Sequence, residues 1–358
     1  MPAPPDIVVI LPNWVGDVVM ATPALRALRS RFTHSRITLV GKQVALETLS
    51  ALPVAENSVP DPSRHDGGLI DLLTVLRAGR HDIAVILPNS FRSALMVKLA
   101  GIRRRLGYRR DGRGWMLTDV LDPLRDEHGK LTPISAIDYY IDLVALLGAT
   151  PDNRQMQLLV GPDDALAAEQ LLADAGAEPD RPLVMLNPGA SFGVSKMWDP
   201  ARYAALGDML VERRAVQIII NAAPSERAVA LDVAREMRHR PLLNFGLRDN
   251  TLAMLKALLR RCAVLITNDT GTRHVAAAVG TGVVTLFGST DPAWSRIDYP
   301  RERIIRLDLP CSPCQKKICT QPPGPLYHQC LGRITPEMVL PAVEELLELA
   351  AGDAEARP

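Results

Sequence analysis

The 358-residue sequence lacks the marks of several large protein classes. It has no run of about 18 apolar residues, which excludes a transmembrane helix, and its N-terminal segment has neither the charged start nor the cleavage site of a secretory signal. Its formal net charge is only +1, so no overall positive charge favours binding to nucleic acid. We therefore expect a cytoplasmic protein with no nucleic-acid partner, and peripheral association with a membrane stays open.

Three motifs of nucleotide chemistry are also missing. No G-x-G-x-x-G follows the first apolar run, which argues against a nicotinamide dehydrogenase, and no G-x-x-x-x-G-K-[ST] loop occurs, which argues against a P-loop kinase. No Asp-x-Asp pair follows an apolar run, so a metal-bridged nucleotide-sugar site is not indicated. If the protein binds a diphosphate, a lysine and the N-terminus of a helix must balance its charge.

Cysteine is scarce, and four of the five cysteines lie close together near the C-terminus. They are Cys311, Cys314, Cys319 and Cys330, with the spacing C-x2-C-x4-C-x10-C. In a cytosolic protein such a cluster indicates a metal or redox site more than structural disulfides, although the spacing matches no standard zinc motif. A bound metal and a loop of packed thiols both stay open. Cys262 stands apart in an apolar segment, and we expect it in the core.

What the sequence does contain is a repeated alternation of apolar strands and amphipathic helices. Strands are predicted over residues 7–11, 36–40, 82–87, 183–186, 216–221, 242–245, 264–267 and 283–287. Helices are predicted over 17–32 with a break near Pro23, and over 69–78, 90–100, 134–147, 200–213, 225–237, 251–260, 272–279 and 336–350. Continuous apolar strands between helices indicate parallel sheets covered on both faces. We predict an α/β protein with two doubly wound Rossmann-like domains, residues 1–160 and 161–335, and a C-terminal helical segment, 336–358.

The first candidate site follows the first strand, because ligands of such sheets bind beyond the carboxyl ends of the strands. The residues there are Asn13, Trp14, Val15, Gly16 and Asp17. Gly16 allows a tight turn and a close approach by a ligand. Asp17 lies at the start of the predicted helix, where it could either cap the helix or face a ligand.

The second candidate site follows the first strand of the second domain, in the stretch NPGASFGVSKMW. Gly189, Ala190 and Ser191 offer backbone N–H groups, and Lys196 adds a cation, which together suit phosphate oxygens. Further along, Glu226 follows another strand. A carboxylate there can accept hydrogen bonds from ribose hydroxyls, or can simply favour the start of a helix.

The third candidate site is the stretch TNDTGTRH, where a strand leads into an Ala-rich helix. Thr270, Gly271 and Thr272 begin that helix, whose N-terminal N–H groups and partial positive charge suit a diphosphate. Asp269 could cap the helix, and His274 lies in its first turn. The sequence therefore predicts a diphosphate site at this strand end.

Four stretches together resemble the ADP-heptose:lipopolysaccharide heptosyltransferases, most closely the heptosyltransferase II type. They are LPNWVGDVVMATPALRALR, NPGASFGVSKMWDPARYAALGDML, TNDTGTRHVAAA with LFGSTDP, and CSPCQKKICTQPPGPLYHQCLGRITPEMV. They stand in the family's order and span nearly the whole chain. The resemblance implies a GT-B fold, in which two Rossmann-like domains face each other across a cleft and the last helix returns to the first domain.

The resemblance also implies an inverting transfer that needs no cofactor. The second domain would bind ADP-heptose, and the first would bind the lipid A–Kdo–heptose acceptor at the cytoplasmic face of the inner membrane. Asp17 would act as the general base, and Lys196 would neutralise the diphosphate. Acceptor contacts are implied for Asn13, Trp14 and Gly16. Donor contacts are implied for Gly189, Ser191, Glu226, Asp269, Thr270, Gly271, Thr272 and His274.

Two departures from the family pattern and three other functions stay open. Met197 stands where an arginine is common, and Thr272 stands where a larger apolar residue is expected, so the donor contacts could differ. The basic segment 103–113 is a further hypothesis for binding acceptor phosphates or Kdo carboxylates. The alternatives are a GT-B transferase with another nucleotide sugar or acceptor, a non-catalytic nucleotide-sugar-binding protein, and a metal-dependent redox protein built on the cysteines.

Overall fold

The structure, a computed structural model, describes residues 3–61 and 68–355. The chain divides into two compact units, Met1–Leu159 with Ala293–Ile297, and Val160–Pro292 with Asp298–Pro358. The predicted boundary after residue 160 lies one residue from this division, whereas the short second segment of the first unit has no signature in the sequence. Residues 1–2, 62–67 and 356–358, which the predicted domains include, lie outside the described residues.

The first unit is built on a parallel sheet. Its strands are β1 (Ile7–Ile10), β2 (Ile37–Gly41), β3 (Asn57–Pro60), β4 (Ile83–Ile86), β5 (Arg104–Tyr108) and β6 (Asp119–Leu121). They are ordered β3-β2-β1-β4-β5-β6, and Ile7 of β1 lies opposite Ile37 of β2 and Ile83 of β4. The helices are α1 (Val15–Met20), α2 (Thr22–Arg31), α3 (Gln43–Thr48), α4 (Gly68–Ala78), α5 (Phe91–Leu99) and α6 (Ala136–Ala145).

The second unit repeats the scheme. Its strands are β7 (Leu183–Asn187), β8 (Gln217–Ile220), β9 (Leu243–Asn244), β10 (Val264–Asn268), β11 (Gly282–Phe287) and β12 (Glu302–Arg306), in the order β12-β11-β10-β7-β8-β9. Its helices are α7 (Pro162–Asp174), α8 (Pro200–Arg214), α9 (Arg227–Glu236), α10 (Leu252–Arg261), α11 (Gly271–Val279), α12 (Gln329–Gly332) and α13 (Pro336–Glu355).

Both sheets wind in the same way when the strands are counted within each unit. The first strand lies inside the sheet, the second and third continue to one side, and the fourth to sixth continue to the other. The four strands nearest the reversal, β1, β4, β7 and β10, are buried along their whole length. The predicted pair of doubly wound domains is therefore confirmed, and each has a switch point, between β1 and β4 or between β7 and β10, where ligands of this fold bind.

Of the four strands that the sequence did not predict, β3, β6 and β12 lie at the edges of the sheets, and β5 lies inside the first sheet. The helices α3, α7 and α12 were not predicted either. Every residue of β3 is exposed or half-buried, and so are the residues of β6 and β12, so no continuous apolar run marks these strands. The break near Pro23 is confirmed, because α1 ends at Met20 and α2 begins at Thr22. The Thr22 hydroxyl donates to the carbonyl oxygen of Val19 at 2.7 Å, which ties the two helices together at this break. Cys262 is buried, as expected.

The prediction that the last helix returns to the first domain is wrong. Helix α13 belongs to the second unit and packs on β10, β11 and α8 of that unit. Its apolar stripe, including Val339 and Val343, is buried there. Its acidic face pairs with arginines of the same unit, since Arg214 contacts Glu344 at 3.0 Å and Arg303 contacts Glu345. Both faces of the helix thus find their partners within the second unit. No helix in the described ranges is long and apolar enough to cross a membrane.

Candidate active site

Two asparagines connect the loops at the switch point of the second unit. Asn187, the last residue of β7, donates from its side-chain amide to the hydroxyls of Thr267 at 2.9 Å and Thr270 at 3.3 Å. Asn268, the last residue of β10, donates to the carbonyl oxygens of the loop after β7, including that of Gly189 at 3.2 Å. The predicted phosphate loop and the predicted diphosphate helix are thereby brought to one place and held together.

Lys196 and Asp269 form an ion pair within this site. The Lys196 ammonium lies 2.6 Å from the Asp269 carboxylate and 3.0 Å from its carbonyl oxygen, and the Thr290 hydroxyl donates to the same carboxylate at 2.8 Å. Burial alone would raise the pKa of Asp269, but the charges of Lys196 and Arg273 outweigh it and hold that pKa below its usual value. Lys196 is therefore a fixed cation with 12% of its side chain exposed. The sequence indicated the cation but not its partner.

Helix α11 starts without a side-chain cap. Thr270 occupies the N-cap position in an extended conformation, and its hydroxyl makes no capping hydrogen bond. Gly271 and Thr272 form the half-buried first turn. The N-terminal N–H groups of a helix are an anion site when no side chain takes them. The predicted diphosphate site therefore lies at an uncapped helix start, and Asp269 faces Lys196 instead of capping the helix.

His274 points into the core beside the start of this helix. The residue is buried, and the Nδ1 atom of its ring has no hydrogen-bond partner among the described residues. Burial, together with the nearby charge of Arg273, lowers its pKa to about 3, so the ring is neutral at physiological pH. The arginine is held by two hydrogen bonds to the Glu302 carboxylate, at 2.6 and 2.9 Å. Any contact of His274 with a ligand would therefore involve the neutral ring.

Glu226 lies against the loop after β7. It ends a short 3-10 turn just before α9, and burial raises the pKa of its carboxyl group. A Cβ atom added to Gly189 would stand 2.1 Å from a carboxylate oxygen of Glu226, so only glycine allows this approach. Ser191 is exposed in the same loop. The predicted carboxylate and the predicted phosphate loop are therefore neighbours.

The same loop contains the sequence motif G-x-S-x-G, from Gly189 to Gly193. In hydrolases that motif turns a strand directly into a helix and presents the serine as a nucleophile. Here no helix follows directly, because the chain continues through a 3-10 turn at Val194–Lys196 before α8 begins at Pro200. The structural context of a nucleophilic serine is thus absent from this described segment.

Two further asparagines extend the network, and none of the four asparagines was predicted as a site residue. The Asn221 side-chain amide donates to the side-chain oxygen of Asn187 at 2.7 Å, and the amide of Asn250 donates to that of Asn221 at 2.7 Å. The three asparagines form a ladder along the carboxyl edge of the sheet. One signal was present in the sequence, because β7, β9 and β10 each end in asparagine and Asn221 follows β8 directly.

In the first unit, Asp17 does not cap its helix. Trp14 occupies the N-cap position of α1 without a side-chain cap, and Asp17 is the third residue of the helix. Its carboxylate makes no hydrogen bond to any described residue. Burial raises its pKa from 3.8 to about 6, and its charge adds to the effect of burial in raising the pKa of Tyr140. A carboxylate with such a pKa is a stronger base than an ordinary aspartate and is still mostly ionised at neutral pH.

The other predicted acceptor residues surround Asp17 in the chain. Asn13 and Trp14 are exposed, whereas Gly16 is buried at the turn. The Lys42 ammonium lies 6.0 Å from the centre of the Trp14 ring, within the range of a cation–π interaction. These residues form the end of β1 and the start of α1, at the carboxyl edge of the first sheet.

The basic segment 103–113 is largely used within the first unit. Arg104 pairs with Asp119 at 2.6 Å. The guanidinium of Arg113 is buried and binds the carbonyl oxygen of Tyr108 at 3.0 Å and the side chain of Asn89 at 3.1 Å. The hypothesis that this segment binds acceptor anions is therefore weakened, because two of its cations hold the chain together.

The four clustered cysteines are all free thiols. In residues 3–61 and 68–355, no three Cys, His, Asp or Glu side chains stand in an arrangement ready to hold a metal ion. The Cys-rich loop nevertheless touches the site, because the His328 ring lies 3.0 Å from the carbonyl oxygen of Ser195, next to Lys196.

The chain is similar to known proteins over most of its length. Residues 70–324 match the sequence profile of glycosyltransferase family 9 (heptosyltransferase). Over 356 residues the chain is 30% identical to lipopolysaccharide heptosyltransferase 2 of Salmonella typhimurium. The alignment covers 95% of this chain and 98% of that protein. The structure of E. coli ADP-heptose LPS heptosyltransferase II has 28% identity and a TM-score of 0.77, covering 97% of this chain and 99% of that one.

A second solved structure bears on the fold alone. The glycosyltransferase family 9 protein of Veillonella parvula has a TM-score of 0.81 at 23% identity, covering 96% of this chain and 97% of that one. These similarities confirm the predicted GT-B class of fold.

Proposed function

The chain belongs to glycosyltransferase family 9, the heptosyltransferases, and we propose that it transfers heptose from ADP-heptose to the heptose/Kdo–lipid A inner core of lipopolysaccharide. Nearly full-length similarity to proteins named heptosyltransferase 2 supports this donor and acceptor. The observation that carries the mechanism is Asp17, a mostly buried carboxylate without a hydrogen-bond partner among the described residues and with a pKa of about 6.

We propose that the second unit binds the donor. The ADP diphosphate would lie at the uncapped start of α11, where Thr270, Gly271 and Thr272 donate backbone hydrogen bonds, and near the Lys196 ammonium. Glu226 would accept hydrogen bonds from the ribose hydroxyls, as acidic residues do in dinucleotide folds. The remaining proposed donor contacts are Gly189, Ser191, Asp269 and His274.

We propose that the reaction is one displacement with inversion. The Asp17 carboxylate would take the proton of the acceptor heptose hydroxyl while that oxygen forms a bond to the anomeric carbon of the donor. The bond from the anomeric carbon to the phosphate oxygen would break, and ADP would leave with the electron pair. Positive groups at the diphosphate lower the barrier because negative charge develops there, so the transfer would need no metal cofactor.

We further propose that the enzyme meets its lipid acceptor peripherally, at the cytoplasmic face of the inner membrane. Asn13, Trp14 and Gly16 would contact the acceptor beside Asp17. Tryptophan rings prefer the interface of a membrane, and Trp14 and Trp115 are 65% and 63% exposed in the first unit. Sedimentation with lipid vesicles should therefore be weaker for Trp115→Ala than for wild type, and equal sedimentation would count against membrane contact through Trp115.

Release of ADP by purified protein tests the proposed function. ADP-heptose with a heptose-bearing Kdo–lipid A acceptor should give acceptor-dependent release of ADP that survives a chelator. Asp17→Asn should lower kcat by a factor of about 10²–10⁴, because general bases contribute that much, while ADP binding by calorimetry is retained.

Asp71→Asn is the matched control, because Asp71 is an exposed acid in the first turn of α4 in the same unit. It should keep wild-type turnover. Near wild-type turnover of Asp17→Asn would refute the proposal that Asp17 is the general base. ADP binding without any turnover of ADP-heptose would refute the proposed substrates and favour another donor or acceptor.

A further inference from the structure

The chain between β12 and α12, residues 307–328, is a long segment without a helix or strand. It contributes little to the core, since Ile318 is 64% exposed and Leu326 and Tyr327 are exposed as well. Loops of this length without secondary structure are uncommon in compact domains, because ordering them costs entropy that apolar burial must offset. Some other interaction must therefore hold this loop.

Four thiols gather inside the loop and at its end. Cys311, Cys314, Cys319 and Cys330 line a single pocket beside α12. Thiols attract one another only weakly. Four thiolates, in contrast, need a cation between them.

Hydrogen-bond donors already point at two of these sulfurs. The backbone N–H of His328 donates to the sulfur of Cys319 at 3.3 Å, and the side-chain amide of Gln329 donates to that of Cys311 at 3.9 Å. Donors of this kind stabilise a thiolate over a thiol. The His328 ring is engaged elsewhere, with the carbonyl oxygen of Ser195. The sulfurs are therefore the groups available as ligands.

We propose that Cys311, Cys314, Cys319 and Cys330 bind one thiophilic divalent cation, for which zinc in a tetrahedral site of four thiolates is the best match. Binding would release the proton of each thiol that ligates. Since the side chains do not stand in ligating positions in the structure, they must rotate inward to bind the ion. Cys311 and Cys314, which are spaced C-x2-C, would supply two ligands from one turn of the loop. Cys319 and Cys330 would supply the other two and so attach the end of the loop to the ion.

The ion would order the loop that holds the donor site. The carbonyl oxygen of Lys317 accepts from the backbone N–H of Ser195 at 3.2 Å, and the N–H of Gln315 donates to the carbonyl oxygen of Ser289 at 2.7 Å. Ser195 precedes Lys196 directly. Loss of the ion should therefore raise the KM for the donor more than it lowers kcat, a consequence that rests on the proposed function, whereas binding of the ion does not.

Metal content tests the site without any donor or acceptor. Full-length protein, purified under reducing conditions without added metal, should contain about one zinc ion per chain when its metal content is measured by inductively coupled plasma mass spectrometry. Cys314→Ser and Cys319→Ser should each lose most of this zinc. Cys262→Ala is the control, because Cys262 is a buried cysteine outside the cluster, and it should keep the metal.

A second measurement uses only the folded wild-type protein. Titration with an organomercurial should release the zinc in proportion to the thiols modified, and cobalt in place of zinc should show the thiolate-to-metal charge-transfer band. A metal-free protein that does not take up zinc or cobalt, with four titratable thiols or with disulfides, would overturn the proposal. So would zinc that persists after three of the four cysteines are replaced. If zinc binds but ADP-heptose is not used, the proposed function fails and the metal site stands.

Discussion

Asp17 should lower the stability of the folded protein, because its carboxyl group is ionised at neutral pH in a mostly buried position. Burial raises its pKa from 3.8 to about 6. At about 1.36 kcal/mol per pKa unit, the ionised group lowers the free energy of unfolding by about 3 kcal/mol above pH 6. Asp17→Asn keeps the shape and removes the charge. It should therefore raise the free energy of unfolding by up to that amount while it lowers kcat by a factor of about 10²–10⁴.

The pH dependence of this effect has a definite sign. Between pH 3.8 and about 6 the folded protein keeps a proton that the unfolded chain has lost, so the stability of the wild type falls as the pH rises through this range. The advantage of Asp17→Asn should grow from about 2 kcal/mol at pH 5 to about 3 kcal/mol at pH 8. Asp71→Asn, which removes an exposed acid, should show no such growth.

Urea unfolding at several pH values between 5 and 8 measures the difference, with ADP release recorded at each pH. The kcat/KM of the wild type should fall below pH about 6, as the base takes up its proton. Equal stability of wild type and Asp17→Asn at pH 8 would refute the inference that a buried, ionised Asp17 carboxylate destabilises the folded protein. A wild-type rate that does not change between pH 5 and 7 would refute its role as the base.

Three further single substitutions, one of them also combined with a second substitution, test the second unit. Lys196→Met should leave the Asp269 carboxylate buried without its main partner, which should cost roughly 1–3 kcal/mol of stability in urea unfolding and weaken ADP binding. Adding Asp269→Asn should restore the stability but not the ADP affinity. An unchanged ADP affinity in Lys196→Met would count against the proposed contact between Lys196 and the diphosphate. Gly189→Ala should push away the Glu226 carboxylate and raise the dissociation constant of ADP in calorimetry, and wild-type affinity would show that Glu226 does not touch the nucleotide. Trp198→Phe should lose the hydrogen bond of 2.9 Å to the carbonyl oxygen of Ile334 and at least about 1 kcal/mol of stability, and no loss in urea unfolding would mean that this buried bond contributes nothing.

The sequence predicted every interior strand of the two sheets except β5, but of the four edge strands it predicted only β9. Strands such as Val264–Asn268 are continuous apolar runs because both faces are covered, whereas Asn57–Pro60 is exposed and carries no such pattern. The packing of α13 could not be read from its own stripe of valines and leucines. That stripe indicates a buried face, but the surface that covers it is set by contacts across the chain.

The candidate site was found in the sequence by position more than by interaction. Strand ends pointed to Asp17, Lys196 and Asp269, because ligands of doubly wound sheets bind there. The pairing of Lys196 with Asp269 joins residues 73 positions apart, and no local pattern predicts it. Whether Asp17 caps its helix depends on one turn of backbone geometry at Trp14, which the letters alone do not specify.

The asparagine ladder has a direction. Each amide nitrogen donates toward the centre of the sheet, from Asn250 to Asn221, from Asn221 to Asn187, and from Asn187 to the hydroxyls of Thr267 and Thr270. The dipoles of the three amides are thus aligned head to tail, with the positive end toward the start of α11. Since the Thr270 oxygen accepts from the ladder, its own hydrogen can turn outward to donate. An uncharged row of side chains in this way adds to the attraction for an anion beyond the helix.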